Sequence, residues 1–382
     1  MSECIKLLSN ICAMVENDES QYAQIHTGLG DIIELIRKEA STKEFLADSY
    51  ENAYNAIFEL EKCKDQSCEA GDFTSRLRAV IEALENEDFP YELDMATDSF
   101  PSEITNEEAE ISAVLTLYKR PERLVEQLEA LESQTIPPKY IYLFQDRVSN
   151  GVYTIQLTEE IKKRFTNVHV CEENIGVWGR FDYASKICET PYVVLFDDDT
   201  IPGKRWLENC YMHMKQKEGI YVTLGVCMKA ENQYPYNGFF RVGWGEPCIK
   251  NAQVDFGGHS WFVKKEHLKV MIENGDEYRK KYKYVAEDAF LSFINLKESG
   301  VPTIVPIHYH DKMDFWGSDP YIGRLAGIEN GAVSMNPNNL NAMTKVVQEF
   351  RENGWKLLSE TRPEYFEHLY EIMKNIGGNA NM

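Results

Sequence analysis

The sequence predicts an α/β protein with a mainly parallel sheet, preceded by an all-α region and followed by C-terminal helices. Three observations carry that prediction. From Ile111 onward, short apolar β-rich runs alternate with segments of helical spacing, the pattern of βαβ units. Before residue 85 the apolar residues recur at three and four positions and no strand pattern appears. The charge also changes sharply along the chain. Residues 1–108 hold about 25 acids against about 8 bases, whereas the rest is close to balance within a formal net charge of -22.

The elements follow in order. Asp31–Arg37, Tyr50–Leu60 and Phe73–Leu84 read as amphipathic helices punctuated by Gly28, Gly30 and Gly71. Residues 1–84 are therefore expected to be a helical N-terminal region for docking, oligomerisation or substrate presentation, or a helical appendage without its own activity. Residues 85–108 carry two prolines and a dense acidic run, and are expected to be a linker. Residues 109–330 form the expected α/β domain. In it Ile111–Tyr118, Tyr140–Phe144, Val168–Cys171 and Tyr192–Phe196 read as strands, and Glu122–Leu131, Thr158–Phe165 and Phe181–Cys188 as helices. Residues 331–382 form an expected helical extension, with Asn338 or Asn339 capping a helix that runs through Leu358.

Composition narrows the function. With 62 acidic and 40 basic residues, the chain lacks the basic surface that duplex DNA or an anionic membrane requires. A phosphorylated ligand would need local positive charge or a divalent cation. No run of about 18 apolar residues suggests a transmembrane helix. The N-terminus turns acidic before any apolar core or cleavage site of a signal peptide. The nine cysteines are odd in number and scattered, so reduced thiols and a cytoplasmic location are expected; Cys63 and Cys68 could form a metal or redox pair.

The strongest chemical signal is Tyr192-Val193-Val194-Leu195-Phe196-Asp197-Asp198-Asp199-Thr200. An apolar strand delivers three adjacent carboxylates to its C-terminal end, the edge where open α/β sheets bind ligands. Adjacent carboxylates repel one another, and a hard divalent cation relieves that repulsion. The other reading is an acidic turn ahead of a helix.

Five segments in order resemble the GT-A fold glycosyltransferases, in particular the family-2-like group. They are ISAVLTLYKRPERLVEQLEALESQT, YIYLFQDRVSNG, NIGVWGRFDYASKICETPYVVLFDDDTIP, VDFGGHSWFVKKEHL and VAEDAFLSF. The resemblance covers about half the chain, residues 111–311. Two positions depart from it: Gln145-Asp146-Arg147-Val148-Ser149 stands for the usual Asp-Asp-Gly-Ser, and Lys119 for an Asn. The Glu287-Asp288 element is also similar to a retaining exostosin-like family of the same fold.

The resemblance implies transfer of a sugar from a nucleotide diphosphate, with UDP the expected nucleotide, to a hydroxyl on a glycan, lipid-linked or protein acceptor. Mn²⁺ or Mg²⁺ is the implied cofactor, with Asp197 and Asp199 flanking it, Asp198 beside them and His308 or His310 as a late ligand. Thr116, Tyr118, Arg120, Asp146, Asn174 and Arg180 are the implied donor-side residues. Asp288 is the implied base with Glu287 beside it, in a single-displacement inversion. Retention would instead make Asp288 a substrate-orienting group. Gly258, His259 and Trp261 lie on the implied acceptor side, with Trp178, Trp244 and Trp316 as further candidates for stacking on sugar, and Arg180 and Arg241 as candidates for pairing with phosphate or with a carboxylate. Two other readings remain: a sugar nucleotidyltransferase, for which no early Gly-rich basic loop is found, and a non-catalytic binder of glycan or nucleotide.

Overall fold

The structure is a computed structural model that describes residues 3–41, 56–57, 59–60, 62–63, 68–85, 109–118, 120–147, 157–229, 239–248, 250–308, 312–319 and 337–375. The chain divides into two compact units, Met1–Ser99 with Glu367–Asn379, and Phe100–Phe366 with Ala380–Met382.

The first unit is helical, as the spacing of its apolar residues requires. Its helices are α1 (Glu3–Asn17), α2 (Gln21–Thr27), α3 (Leu29–Ser41) and α4 (Ala70–Glu85). Ile5, Leu8, Cys12 and Val15 form one buried stripe on α1, and Phe73, Leu77, Val80 and Leu84 form another on α4. Arg78 of α4 donates a forked pair of hydrogen bonds to Glu16 of α1, at 2.7 and 2.6 Å. Of the expected helix Tyr50–Leu60, only Ala56, Ile57, Glu59 and Leu60 are described, and these are helical. Residues 86–108 lie outside the described residues. The expectation of reduced thiols throughout is corrected at one place: Cys63 and Cys68, five residues apart, are joined in a disulfide. The other seven cysteines are buried and lie outside any disulfide.

The second unit is built on a nine-stranded sheet. Its strands are β1 (Ile111–Leu117), β2 (Tyr140–Gln145), β3 (Asn167–Val170), β4 (Tyr192–Phe196), β5 (Ile220–Met228), β6 (Phe239–Gly243), β7 (Ala252–Val254), β8 (Phe256–Lys264) and β9 (Thr303–Val305). The order is β3-β2-β1-β4-β8-β5-β9-β7, with β6 pairing with β5 off this path. From β3 to β4 the sheet is parallel, as the βαβ pattern implies. At β8 it becomes mixed: β8 is antiparallel to both β4 and β5, while β5 and β9 are parallel.

Helices cover both faces. After the short 3₁₀ turn Pro121–Arg123 come α5 (Leu124–Glu132), α6 (Glu159–Lys162), α7 (Gly179–Ile187), α8 (Trp206–Gln216), α9 (Lys265–Asn274), α10 (Asp276–Lys281) and α11 (Glu287–Ser299). Leu128 and Leu131 of α5 and Trp206, Leu207 and Cys210 of α8 pack against Leu115, Leu117, Val194 and Phe196 on one face. On the other, Phe181 of α7 meets Trp261 of β8 edge-on, with centroids 5.2 Å apart. Side chains alternate between faces along a strand, so Trp261 and the oppositely directed Phe262 belong to different layers.

The C-terminal helices are α12 (Pro337–Glu352), α13 (Leu358–Thr361) and α14 (Pro363–Asn375). The expected single helix through Leu358 is corrected. Gly354 has φ of +101°, a conformation that ends a helix, and Asn338 and Asn339 lie inside the first turn, after Pro337. Phe350 of α12 stacks on Phe293 of α11 with centroids 5.2 Å apart, so this helix packs on the α/β core.

Candidate active site

Strand register brings the site together. Parallel pairing of β1 with β2 aligns Leu117 with Gln145, and pairing with β4 aligns Leu115 with Phe196. Thr116, Asp146 and Asp197 therefore emerge at one edge of the sheet. Antiparallel pairing of β4 with β8 sets Phe196 opposite Ser260, so the next residue, Asp197, meets His259. The backbone N–H of Asp197 donates to the His259 carbonyl at 2.9 Å, and the Thr200 hydroxyl donates to the same oxygen at 3.0 Å. From below, the side chain of Gln127 on α5 donates to the carbonyls of Asp197 at 2.7 Å and Thr200 at 3.0 Å. The aspartate turn is thus held from both sides.

Each aspartate has a different partner. Arg180 of α7 hydrogen-bonds Asp197 with one nitrogen and Glu287 of α11 with another, the latter at 2.8 Å. Arg120 donates to Asp198 at 2.7 Å and lies 3.4 Å from Asp199. His259 Nδ1 stands 3.6 Å from Asp199 Oδ1, too far for a hydrogen bond, and both atoms are buried without a hydrogen-bond partner. Burial raises Asp197 above the usual carboxylate range, with Arg180 opposing. Burial would raise Asp199 too, but the neighbouring His259 and Arg120 outweigh it and hold that carboxyl low.

The Glu287-Asp288 pair opens α11. Its preceding residue, Ala286, has φ of +69°, a left-handed conformation that costs roughly 1–3 kcal/mol at a non-glycine position and turns the two acids into the site. Burial and the Asp288 charge raise Glu287 to about 8, with Arg180 opposing. Burial also raises Asp288 to about 6. Asp197, Asp198, Asp199 and Glu287 thus share two guanidinium groups, Arg120 and Arg180, among the described residues, with Asp288 next to Glu287. That excess of carboxylate, with two buried donor atoms left unpaired, suits a hard divalent cation. Asp197, Asp199 and His259 offer ligand atoms that all lie within 4.8 Å of one another.

On the other side, the Asn174 amide donates to the Tyr118 hydroxyl at 3.1 Å, and Thr116 Oγ1 is buried without a partner. The Asp146 carboxylate accepts from the backbone N–H groups of Arg147, Ile175 and Gly176 at 2.8, 3.0 and 3.1 Å. It pins the Asn174–Gly176 loop. Burial still raises its pKa, those three bonds opposing. Gly176 has φ of +83°, and a Cβ there would meet the Lys283 carbonyl at 2.2 Å, so only glycine fits.

Several sequence expectations change. Arg180 is not left for a phosphate, because its guanidinium bridges Asp197 and Glu287. It also lies 4.8 Å from the Trp261 ring. Trp261 is 1% exposed and donates to the Gly257 carbonyl at 2.8 Å, so it supports Arg180 from the interior and has no face for a sugar. Trp178 and Trp316 are likewise buried. His308 is not brought to the aspartates as a ligand. Its Nδ1 and Nε2 face the carbonyls of Pro306 at 2.8 Å and Glu246 at 3.0 Å. His310 lies outside the described residues. Gly258 faces open space, whereas a Cβ on Gly257 would strike Val222. Trp244 stacks on His259 with centroids 5.2 Å apart and rings within 10° of parallel, and the exposed Arg241 lies over the same indole. Gln127 is the residue that sequence reasoning missed. Its signal was a polar residue in the buried stripe Leu124, Gln127, Leu128, Leu131.

The fold is a mixed sheet flanked by helices, with the acids gathered at its strand ends. Residues 112–272 match the model of glycosyl transferase family 2. No curated protein matches the chain by sequence. Among solved structures, TarS of S. aureus is 15% identical with a TM-score of 0.38, over 70% of this chain and 49% of that one. The chain thus spans about half the length of that protein. TarS 1-349 in complex with UDP-GlcNAc is 15% identical with a TM-score of 0.37, over 70% of this chain and 82% of that one. TarS 1-349 in complex with UDP is 17% identical with a TM-score of 0.38, over 70% and 81% respectively. Among the described residues no helix is long and apolar enough to cross a membrane.

Proposed function

We propose that the chain transfers a sugar from a uridine diphosphate donor to a hydroxyl acceptor, with inversion and with a divalent cation held by Asp197 and Asp199. The observation that carries this reading is the convergence of four carboxylates on two guanidiniums, with Asp288 beside Glu287 and Asp199 Oδ1 buried and unpartnered. UDP is the nucleotide implied by the family resemblance. When bound, a divalent cation would neutralise the diphosphate as the glycosidic bond breaks.

The chain's own residues supply the rest. Thr116 and the Tyr118–Asn174 pair line the nucleoside side, and Asp146 keeps the Asn174–Gly176 loop in place for it. Arg120 restrains Asp198 and lies at the diphosphate side of the turn. Asp288 accepts the proton of the acceptor hydroxyl. A carboxyl raised to about 6 is ionised at neutral pH yet more basic than an exposed aspartate, which suits a general base. Glu287, fixed by Arg180, sets the field around Asp288. His259, Trp244 and the open face of Gly258 form the acceptor-side wall. A glycan, lipid-linked glycan or protein hydroxyl fits this scheme, and the helical unit is a candidate docking or oligomerisation element.

The test is release of UDP from a panel of UDP-sugars with Mn²⁺, with chelator and in Asp199→Ala, followed by anomeric analysis of the product. Metal-dependent turnover lost in the variant, with an inverted product, is expected. Full turnover in chelator would overturn the metal role, and a retained anomer would overturn Asp288 as base.

A further inference from the structure

We infer that the imidazole of His259, rather than a late histidine, is the third protein ligand of the divalent cation, through Nδ1 and alongside Asp197 and Asp199. This inference rests on the metal-dependent reading above. It stands on four independent features of the structure.

The first is the pair of orphaned atoms. Asp199 is 7% exposed, yet its Oδ1 has no hydrogen-bond partner, and neither has His259 Nδ1. Buried polar atoms are nearly always satisfied, so two facing each other call for something between them. The second is their separation. At 3.6 Å they are too far apart to bond each other. Two atoms each about 2.1 Å from one ion stand about 3 to 3.6 Å apart, depending on the angle between them.

The third is orientation. A ligand must be aimed before the ion arrives. The His259 backbone has φ of +67° and its carbonyl is fastened by Asp197 and Thr200. Trp244 then lies flat against the ring, and its own φ is +66°. Two non-glycine residues in the left-handed region, stacked on one another, fix the imidazole plane beside the aspartates. The fourth is exclusion. Both ring nitrogens of His308 face backbone carbonyls, and His308 is not among the described residues whose ligand atoms lie within 4.8 Å of one another at the aspartate turn.

The β4–β8 register explains why the ligand comes from here. Antiparallel pairing places His259 directly beside the end of β4, so the aspartate turn and the histidine are neighbours by hydrogen bonding of the sheet itself. No long connection has to fold back to deliver a ligand.

The experiment uses the full chain and Mn²⁺ alone as the probe. Continuous-wave EPR of free Mn²⁺ gives the affinity, and pulsed EPR of the bound ion reports directly coordinated nitrogen. A ¹⁴N coupling is expected in the wild type. It should vanish in His259→Gln, with binding weakened about tenfold or more. Bound Mn²⁺ that depends on Asp199 but shows no nitrogen coupling would overturn the inference and leave the metal-dependent reading standing. So would a coupling that survives in His259→Gln. Failure of the wild type to bind Mn²⁺ would overturn both. The wild-type spectrum needs no variant, so a folding defect in His259→Gln cannot shield the inference.

Discussion

Replacing Arg180 with methionine tests how the carboxylate cluster is held together. The guanidinium is 10% exposed at its side chain and bridges Asp197 and Glu287, with Phe181 and Trp261 within 5.3 and 4.8 Å of it. Methionine fills much of the volume but leaves the buried Glu287 and the partly buried Asp197 without their cation. Breaking a buried pair in this way costs about 3–5 kcal/mol, and loss of the cation–π contact adds about 1. Some of that returns when the carboxyls protonate. A net loss of about 3 kcal/mol is therefore expected at pH 8. For a folding unit of this size it lowers Tm by about 6–12 °C.

The pH dependence gives a second reading of the same variant. Asp197 and Glu287 already have folded pKa values above the ordinary range, Glu287 at about 8. Removing Arg180 raises both further. A carboxyl whose folded pKa is raised binds its proton more tightly in the native state, so its destabilising effect grows as pH rises toward that folded value. The deficit of Arg180→Met should be smallest near pH 5 and largest near pH 9. Differential scanning fluorimetry of both chains across that range measures it. A deficit below about 2 °C at every pH would show that the bridge does not hold the cluster and would refute the reasoning.

Asp288→Asn removes the base without changing its size, and turnover should fall about 10²–10⁴-fold. In the wild type, kcat/KM should rise with pH through about 6 as Asp288 loses its proton, and a pH-rate profile flat from 5 to 7 would contradict that role. Gln127→Leu leaves the Thr200 carbonyl without its side-chain donor and the Asp197 carbonyl with only the Thr200 N–H at 3.3 Å, which costs about 1–3 kcal/mol, read from the urea midpoint. An unchanged midpoint would mean that the aspartate turn is held by β8 alone.

Much of the fold was legible because burial on both faces leaves a continuous apolar signature. Tyr192–Phe196 has the bounds that its sequence suggested, and Ile111–Leu117 is buried along its whole length. Thr158–Phe165 was less legible. Its helix extends only over Glu159–Lys162, because after one turn capped by Thr158 the chain must enter β3. The chemistry was legible where it sits on contiguous residues, as in Asp197–Asp199 and Glu287-Asp288. It was not legible where pairing across the sheet makes the neighbour. Nothing local to GGHSW says that an antiparallel partner will set His259 against Asp197 and turn Trp261 into the interior. Nor does one sequence reveal that Arg180, a plausible phosphate contact by charge, is claimed by two carboxylates. Residue type alone suits Trp261 to a sugar and Arg180 to a phosphate, whereas tertiary packing positions both in the interior.

Calorimetric titration of UDP into the full chain, with Mn²⁺ and then with a chelator, bears most directly on whether the aspartate turn grips a cation-bound diphosphate. Saturable binding with Mn²⁺ that disappears in chelator and in Asp199→Ala is the result expected. Equal UDP affinity in all three would contradict the account.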